Sequence, residues 1–462
     1  MEANEILVIA MFGSFILLLF TGFPVAWVLG GVGVIFCVAG YLADIYLDTF
    51  TGLDMTTLGL VVNRVYKIMD NWILVALPMF IFMGIMLDKS GVAERLMNAL
   101  QDMFGKVRGG LAITVISIGI ILAASTGIIG ASVVLLAVMS LPAMQKQGYN
   151  MPLALGTIAS AGTLGILIPP SIMLVIMADQ LGLSVGDLFM GAVFPGVILG
   201  ALYIVYILAV GIFKPGYAPL PTDAKAPDWG VVWRVITSVL PTLLLIFAVL
   251  GSIFAGIATP TEASGVGALG ATLLAAYNGK LKLSVLKEAL QGTYNTTAYI
   301  FAIFIGATCF ALVLRELGGD ELIESFLTGL PFGPYGIILF ILGIIFLLGF
   351  FLDWIEITLI VLPLLAPVIS ALGLDINGYG VVDNPELVWF VMLVAMALQT
   401  SFLTPPVGFA LFYLKGVCPP GVKLTDIYKG VVPFIVLQVT GMLILLLWPQ
   451  ISLWLPAVAY AN

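Results

Sequence analysis

Two stretches of the chain place an adjacent proline pair inside an apolar segment: "GTLGILIPPSIM" (162–173) and "TSFLTPPVGFAL" (400–411). A proline pair removes two backbone donors and clashes with the preceding turn, so neither stretch can be a continuous helix. Each break leaves carbonyl groups free at the end of one half-helix and amide groups free at the start of the next. Carbonyls and hydroxyls suit a hard alkali cation, and half-helix N-termini suit an anion. The two breaks therefore predict a place that binds a cation and an anion together.

Two more apolar stretches are interrupted by polar residues, "AASTGIIGAS" (123–132) and "GFFLDWIEIT" (349–358). Together with the two breaks they make four irregular places. The candidate cation ligands at these places are Ser125, Thr126, Gly162, Thr163, Gly165, Asp353, Thr400, Ser401 and Thr404. The candidate anion contacts are Ser125, Ser171, Pro169, Pro170, Pro405 and Pro406.

Several of these candidates have alternative explanations. A carboxylate such as Asp353 is costly at membrane depth unless it is paired or binds an ion. We expect it to ligate a cation, to pair with a basic residue, or to lie at a polar tip wetted by a cavity. Ser125 and Thr126 either ligate or satisfy nearby carbonyl groups. Thr163 and Thr400 flank the two breaks at matching positions, with the same alternatives.

Other charged residues near the apolar runs suggest local roles. Glu356 follows Asp353 by about one turn, where we expect it to line a cavity. Glu262, in "ATPTEASG", is expected to cap the helix that it opens, because a helix N-terminus favours a carboxylate. Arg315 either pairs locally with Glu316 or contacts the carboxylate of a bound anion.

Composition places the whole chain in a lipid bilayer. Of its 462 residues, 61% are hydrophobic and 9% are charged, whereas soluble domains carry roughly 25% charged residues. Long unbroken apolar runs exclude a membrane β-barrel, whose strands alternate polar and apolar residues, so we predict an all-α polytopic membrane protein. The absence of histidine argues against a metalloprotease, a haem protein and a histidine proton relay. We predict no cofactor, no metal site beyond an alkali cation and no nucleic-acid partner.

Apolar runs of helix length, compared with a bilayer core of about 30 Å, predict the segments of the fold. They are 5–20, 22–42, 72–88, 109–143, 151–182, 188–213, 235–256, 258–277, 295–315, 335–371, 387–415 and 430–455. Two of them, 109–143 and 335–371, are too long for one crossing and too short for two with a water-exposed loop. We interpret each of these two as a re-entrant hairpin, and 151–182 and 387–415 as broken helices.

The distribution of basic residues tests this layout. With re-entrant hairpins and an outside N-terminus, Arg64, Lys67 and Arg315 lie outside and the other 14 of the 17 basic residues lie inside. The layout then has ten crossing segments and two hairpins, with both chain ends outside. The segment 43–70 becomes an outside loop that can meet a partner.

The chain also repeats itself at a spacing of about 225 to 240 residues. "GILIPPSIM" (165–173) echoes "SFLTPPVGF" (401–409), and "LDKSGVAERL" (87–96) echoes "LRELGGDELI" (314–323). The first unit begins outside and the second begins inside, which makes an inverted-topology repeat. Many secondary transporters have this architecture, with the binding site where broken helices meet.

Three motifs resemble one family of membrane proteins: "GTLGILIPPSIMLVIMAD" (162–179), "TPTEASGVGALGA" (259–271) and "LQTSFLTPPVGFALFYLKG" (398–416). They are similar to the large membrane subunit of tripartite ATP-independent periplasmic (TRAP) transporters, of the ion-transporter superfamily. The resemblance covers essentially the whole chain.

The resemblance implies sodium-driven import of small organic anions (carboxylates), with Na⁺ as the coupling ion. It places the chain in the cytoplasmic (inner) membrane of a bacterium or archaeon, with both ends periplasmic. It implies two partners, a periplasmic substrate-binding protein and a small four-helix membrane subunit, which we expect as a separate chain. One sodium site would use Ser125, Gly162, Thr163 and Gly165, and the other Asp353, Thr400, Ser401 and Thr404.

The resemblance also implies an elevator, in which 109–213 and 335–455 move against the scaffold 1–88 and 235–315. The first inverted repeat, 1–213, then comprises scaffold helices 1–88, an amphipathic arm 89–108, a hairpin 109–143, a broken helix 151–182 and a helix 188–213. A linker covers 214–233. The second repeat, 234–462, comprises scaffold helices 235–315, a hairpin 335–371, a broken helix 387–415 and a helix 430–455.

Two alternatives remain at this stage. One is a stand-alone anion:cation symporter of the same superfamily, which needs no partner proteins. The other is a membrane enzyme that uses Asp353 and Glu356 as acid and base, for which the sequence shows no nucleophile, metal or cofactor motif. We therefore expect a transporter and not an enzyme.

Overall fold

The computed structural model describes residues 3–126, 129–220 and 228–460, without the side chains of 123–126, and these residues form helices and turns with no strand. The first eleven helices are α1 Ala3–Leu19, α2 Val25–Tyr46, α3 Met55–Met69, α4 Ala76–Lys89, α5 Val92–Met103, α6 Gly110–Thr126, α7 Ile129–Lys146, α8 Met151–Thr163, α9 Ile172–Leu181, α10 Val185–Phe213 and α11 Trp229–Phe254. The next ten are α12 Pro260–Tyr277, α13 Leu283–Glu316, α14 Gly319–Thr328, α15 Pro334–Leu348, α16 Trp354–Glu356, α17 Leu362–Ala371, α18 Pro385–Leu403, α19 Phe409–Val417, α20 Leu424–Leu447 and α21 Gln450–Tyr460. Short 3-10 turns (Trp72–Val75, Leu164–Ile166) and a π-helical segment (Ile357–Val361) adjoin them.

Nine helical runs among the described residues are long and apolar enough to cross a membrane. Each has at least 18 residues, which at the rise of an α-helix spans about 27 Å. This length is close to the thickness of a bilayer core. The prediction of an all-α polytopic membrane protein is confirmed.

The two proline-interrupted helices lie at the centre of the molecule. Every residue of α8 from Leu153 to Thr163 and of α18 from Leu387 to Leu403 is buried. The chain leaves helical geometry between α8 and α9 and again between α18 and α19, and both proline pairs contain a cis peptide bond. Protein therefore encloses the irregular backbone of the first break, whereas residues 404–407 of the second break are half-buried or exposed. Carbonyl groups freed at membrane depth are tolerated only in protein or around a water-filled cavity.

Each broken helix packs against two helices that precede or flank a polar interruption. α6 and α7 pack against each other and against α8, and α15 and α17 both pack against α18. Small residues allow the closest of these contacts: a Cβ on Gly119 of α6 would lie 2.9 Å from the carbonyl oxygen of Ala161 in α8. The segment between α15 and α17 is thereby held beside the second break.

A second group of helices packs in two crossed pairs, α2 with α13 and α4 with α12. Glycines make both seams tight, since a Cβ on Gly306 would lie 2.3 Å from the carbonyl oxygen of Ala26. A Cβ on Gly267 would lie 2.5 Å from the sulfur of Met83. α4 also contacts α6, and α13 contacts the π-helical segment. The two groups of helices meet along α4 and α13.

The structure differs from the predicted segments in three places. The segment 43–70, predicted as a loop, contains α3, because Asp54 caps it by accepting a hydrogen bond from the Thr57 amide at 2.9 Å. The predicted helix 430–455 is two helices, since α20 ends at Leu447 and α21 begins at Gln450, after Pro449. Helix α13 begins at Leu283, twelve residues before the predicted start at 295.

Candidate functional site

A cavity of about 180 Å³ lies between α13 and the region where the central helices are interrupted. Two helices begin at its wall, α9 at Ile172 and α19 at Phe409, and Ile129 and Gly130 of α7 also line it. The first amide groups of a helix carry partial positive charge and lack partners within the helix, so this wall favours an anion. Asp353 lines the same cavity. A cation and an anion can therefore be held side by side.

The rest of the cavity wall is amphipathic. Thr296 and Tyr299 of α13 line it, together with Tyr413 of α19. Gly130 packs flat against the Tyr413 ring, because a Cβ there would lie 2.8 Å from the ring's Cζ atom. Hydroxyl groups of tyrosine and threonine donate hydrogen bonds to carboxylates, so this wall suits a small organic acid.

Asp353 is the N-cap of the short helix α16. One of its carboxylate oxygens accepts a hydrogen bond from the Trp354 amide at 2.8 Å. Among the described residues Asp353 has no ion pair with a lysine or arginine. The pairing explanation is therefore not supported there, and the capping bond leaves the other carboxylate oxygen available for a cation or for water in the cavity.

Glu356, expected to line a cavity, is buried, with 1% of its surface exposed. Neither of its carboxylate oxygens has a hydrogen-bond partner in the described part of the chain. A buried charge without a partner is strongly unfavourable. The side chain must therefore carry a proton or face a bound cation.

The hydroxyl groups at the breaks already bond to the backbone. Thr163 donates to the Ser160 carbonyl at 2.9 Å, Thr400 to that of Met396 at 2.7 Å, and Thr404 to that of Thr400 at 2.7 Å. Ser171 spans the first break by donating to the Ile166 carbonyl at 2.6 Å. These bonds use the hydroxyl hydrogens. The oxygen lone pairs stay available to a cation.

Three buried side-chain oxygens near the breaks have no partner among the described residues: Ser160 Oγ, Gln399 Oε1 and Ser401 Oγ. Gln399 also links the two breaks, since its amide group donates to Thr163 Oγ1 at 3.4 Å. The sequence places Gln399 at the second break, but Thr163 was paired with Thr400, and neither Gln399 nor Ser160 was predicted as a cation ligand. The 236-residue register of the proline pairs, which aligns Thr163 with Gln399, is the signal that could have found Gln399.

Glycines bring polar backbone close to both breaks. A Cβ on Gly349, at the end of α15, would lie 2.4 Å from Ser401 Oγ. A Cβ on Gly162 would lie 2.4 Å from Cγ2 of Val133 in α7. Gly165 is buried in the 3-10 turn that follows α8. The backbone before Asp353 therefore lies directly on the unpartnered Ser401 hydroxyl.

Of the predicted site residues whose side chains are described, Asp353 alone lines this cavity. The side chains of Ser125 and Thr126 lie outside the described part of the structure. Pro169, Pro170 and Ser171 are buried in the first break, whereas Pro405 is half-buried and Pro406 is exposed. Those five residues do not line the 180 Å³ cavity.

Two of the charged side chains have partners that differ from expectation. Arg315 pairs with Asp320, through its Nε atom at 3.2 Å, and not with Glu316. The predicted cap is confirmed, because Glu262 accepts hydrogen bonds from the amide and the hydroxyl of Thr259, both at 2.8 Å. Glu262 therefore has a structural role at the start of α12.

The chain matches a family model over residues 12–451. The model is described as tripartite ATP-independent periplasmic transporter, DctM component. The chain belongs to this family. The resemblance seen in the three sequence motifs is thereby confirmed, and the protein is a multi-pass membrane protein of a TRAP transporter.

Curated relatives of this DctM-family chain are bacterial permeases with different named substrates. A C4-dicarboxylate TRAP transporter large permease of Pseudomonas aeruginosa is 30% identical, with 85% of this chain and 88% of the relative covered. A sialic acid permease of Vibrio cholerae is 29% identical (95% and 96% covered), and an ectoine permease of Halomonas elongata is 29% identical (84% and 87% covered). The relatives are transport proteins, so the membrane-enzyme alternative is wrong.

A solved structure shares the fold. The YdaH transporter of Alcanivorax borkumensis matches with a TM-score of 0.62 at 12% sequence identity, covering 86% of this chain and 89% of that one. At this identity the match shows the fold alone.

Proposed function

We propose that this chain imports small organic anions by sodium-coupled secondary transport. The observation that carries the proposal is the 180 Å³ cavity, in which the N-termini of α9 and α19 lie at the same space as Asp353. Helix N-termini favour the carboxylate of the substrate, and the carboxylate of Asp353 favours the cation. Binding both ions in one place neutralises the charge that has to move through the membrane, and this couples the two fluxes.

The sodium ligands are proposed at both breaks. The first site uses the tip at Ser125 and Thr126 with Gly162, Thr163 and Gly165. The second site uses Asp353 with Thr400, Ser401 and Thr404, and we add Gln399 as a neighbour of both. Support for the second site comes from Ser401, whose buried oxygen has no described hydrogen-bond partner and lies beneath the Gly349 backbone. A sodium ion takes oxygen ligands of these kinds, as hard cations do.

The substrate contacts are proposed at the half-helix starts that follow the breaks. Ser125, Ser171 and the backbone around Pro169, Pro170, Pro405 and Pro406 stay candidates on the two sides of this region. The aromatic wall of Tyr299 and Tyr413 would cover the apolar part of a small carboxylate. The C4-dicarboxylate permease of Pseudomonas aeruginosa supports this class of substrate. The sialic acid and ectoine permeases show that substrates differ widely among the relatives.

The fold supports an inverted repeat that works as an elevator. The sequence echoes would make α2 the counterpart of α12, and α4 the counterpart of α13. The contact of α2 with α13 would then be the symmetry equivalent of the contact of α12 with α4. We propose that these helices belong to the scaffold 1–88 and 235–315. The hairpins and broken helices of 109–213 and 335–455 would move against it, and both hairpins would be re-entrant.

The partners follow from the family. We propose a separate small four-helix membrane subunit that braces the scaffold, and a periplasmic binding protein that delivers the anion. Both chain ends would be periplasmic in a bacterial inner membrane. A stand-alone symporter is the alternative, and it would transport in liposomes with neither partner present.

Sodium binding is the step to test first. We expect NaCl to raise the melting temperature of the purified chain relative to choline chloride, because a ligand that binds only the folded state stabilises it. Asp353→Asn should lose most of this increase, whereas the matched variant of an exposed loop residue, Asp375→Asn, should keep it. An unchanged increase in Asp353→Asn would remove Asp353 from the site.

A further inference from the structure

A second cavity, of about 390 Å³, gathers the three basic residues that the charge distribution assigns to the outer side. Arg64 and Lys67 reach it from α3, and Arg315 reaches it from the end of α13. Arg64 and Lys67 are one helical turn apart, whereas Arg315 is about 250 residues further along the chain and meets them only through the packing of α3 against α13. We call this space the outer cavity.

The positive charge of the outer cavity is only partly offset by the carboxylates beside it. No described residue that lines it is acidic. Asp320 pairs with the Nε atom of Arg315 at 3.2 Å. Asp179, next to the lining residue Gln180, accepts hydrogen bonds from the neutral amides of Gln180 and Asn71 and keeps its negative charge. Arg64 and Lys67 have no ion pair among the described residues.

The walls of the outer cavity come from both helix groups. Phe304 and Thr308 of α13 form one side, with α3. Leu359 of the π-helical segment and Pro363 of α17 form the other. A cleft that carries one sign of charge between apolar walls concentrates ions of the opposite sign. An anion in this cleft would lie between the proposed scaffold and the proposed moving part, on the side from which substrate arrives.

We propose that the outer cavity is an entry site that binds the carboxylate of the organic anion before it reaches the breaks. Arg64 and Lys67 supply the charge, and Arg315 supplies the guanidinium hydrogens that Asp320 does not use. This proposal rests on the proposed import of organic anions. It assigns Arg64 and Lys67 to capture of substrate and not to sodium binding.

The chain contains a natural control on its other side. A cavity of about 530 Å³ lies between the end of α4, the start of α5 and α7, where Leu135 and Met139 line it. Its charges are mixed, because Asp88 and Glu94 oppose Lys89 and Lys280. We call it the inner cavity, and we expect no preference for anions there.

The test measures the charge preference of each cavity without any transport. A cysteine replaces Thr308 in the outer cavity or Asn98 in the inner cavity, in the full chain that also carries Cys418→Ser, since the other two cysteines are buried. Each purified variant is labelled in detergent with a sulfonate-bearing or a trimethylammonium-bearing methanethiosulfonate reagent. The ratio of the two rates reports the local potential.

We expect the sulfonate reagent to be favoured about tenfold or more at Thr308→Cys over Asn98→Cys at low ionic strength. Added Arg64→Gln and Lys67→Gln should bring the outer ratio to the inner value. Succinate should slow sulfonate labelling at Thr308→Cys more than NaCl of equal ionic strength does. Equal ratios in the two cavities, or a ratio that survives the double substitution, would overturn the proposal. So would protection by an added binding protein with none by succinate, because the outer cavity would then be a docking site for acidic side chains.

Uptake measurements distinguish the proposed entry site from the proposed sodium-coupled import. In proteoliposomes, the Arg64→Gln/Lys67→Gln chain should show a KM for the transported anion raised about tenfold, with an unchanged maximal rate. A loss of maximal rate with unchanged KM would contradict a role in capture. If uptake by the unaltered chain does not depend on Na⁺, the proposed coupling fails, while the labelling ratios still decide whether the outer cavity binds anions.

Discussion

The two breaks share a backbone form and differ in burial and in charge. At the first break Pro169, Pro170 and Ser171 are buried, whereas at the second Pro405 is half-buried and Pro406 is exposed. The polar interruption before the first break, "AASTGIIGAS", has no carboxylate, and the one before the second, "GFFLDWIEIT", has two. The proline pairs set the shape of both sites, but only the second can oppose a cation with a full negative charge.

This difference suggests that the two breaks contribute differently to cation binding. A site built from carbonyls and hydroxyls binds a cation only after its hydration shell has been replaced ligand by ligand. A site with a carboxylate attracts the cation over a longer distance. We therefore expect the second break to dominate sodium affinity, and the first to depend on the close packing of α7 and α8. A hydrogen bond between Gln399 and Thr163 joins the two breaks, so we expect a change at one to affect the other.

Among the variants that leave Asp353 in place, the largest effect is expected from Gly349→Ala. The new methyl group would lie 2.4 Å from Ser401 Oγ, and overpacking of this kind costs about 1–3 kcal/mol. Sodium-driven uptake should fall about tenfold or more. The matched change Gly343→Ala, in the same helix with nothing within 4 Å, should leave uptake unchanged. Equal uptake by the two variants would show that the tip does not need to touch the second break.

A smaller effect is expected from Gln399→Leu, which removes the link between the breaks. The change leaves Thr163 Oγ1 without its donor in a buried place, and such a loss costs about 1–3 kcal/mol. The NaCl concentration that gives half of the melting-temperature increase should rise about fivefold. An unchanged sodium dependence would mean that the breaks act independently.

Ser401→Ala and Ser171→Ala should distinguish a serine that binds the cation from a serine that stabilises the backbone. Ser401 Oγ has no described hydrogen-bond partner, so its loss should weaken sodium affinity about threefold with little change in stability without sodium. Ser171 donates to the Ile166 carbonyl at 2.6 Å, so its loss should lower stability by about 0.5–1.5 kcal/mol with the same sodium dependence. Denaturation of each variant with and without NaCl measures both quantities, and the reverse pattern would exchange their roles.

The smallest effect is expected from Glu356→Gln. If the buried Glu356 carries a proton, an amide of the same shape replaces it with little change, and uptake should stay within about twofold of the unaltered chain. A fall in uptake as large as that of Asp353→Asn would instead make Glu356 a cation ligand. The second break would then present two carboxylates to the ion.

Local signals in the sequence predicted much of this arrangement. The proline pairs and polar interruptions mark the breaks because their effect on a helix does not depend on distant residues. The cap by Glu262 is equally local. Helix α3 was missed because its residues are only moderately apolar, although Asp54 and Thr57 form a capping box at its start.

Contacts between distant segments could not be predicted in the same way. The bond from Gln399 to Thr163 joins residues 236 positions apart and exists only once α8 and α18 are packed. Arg315 finds Asp320 and not Glu316 because Gly318 turns the chain with a positive φ of 77° and brings α14 back to it. The meeting of Arg64 and Lys67 with Arg315 depends in the same way on the packing of α3 against α13.

Sodium-driven uptake is the most direct test of the proposed function. Proteoliposomes would hold the chain with its small membrane subunit, with the binding protein and labelled anion outside, and the Na⁺ gradient would be inward, absent or outward. We predict accumulation above equilibrium only with the inward gradient, and its loss in Asp353→Asn. Equal accumulation with and without the Na⁺ gradient would contradict sodium coupling.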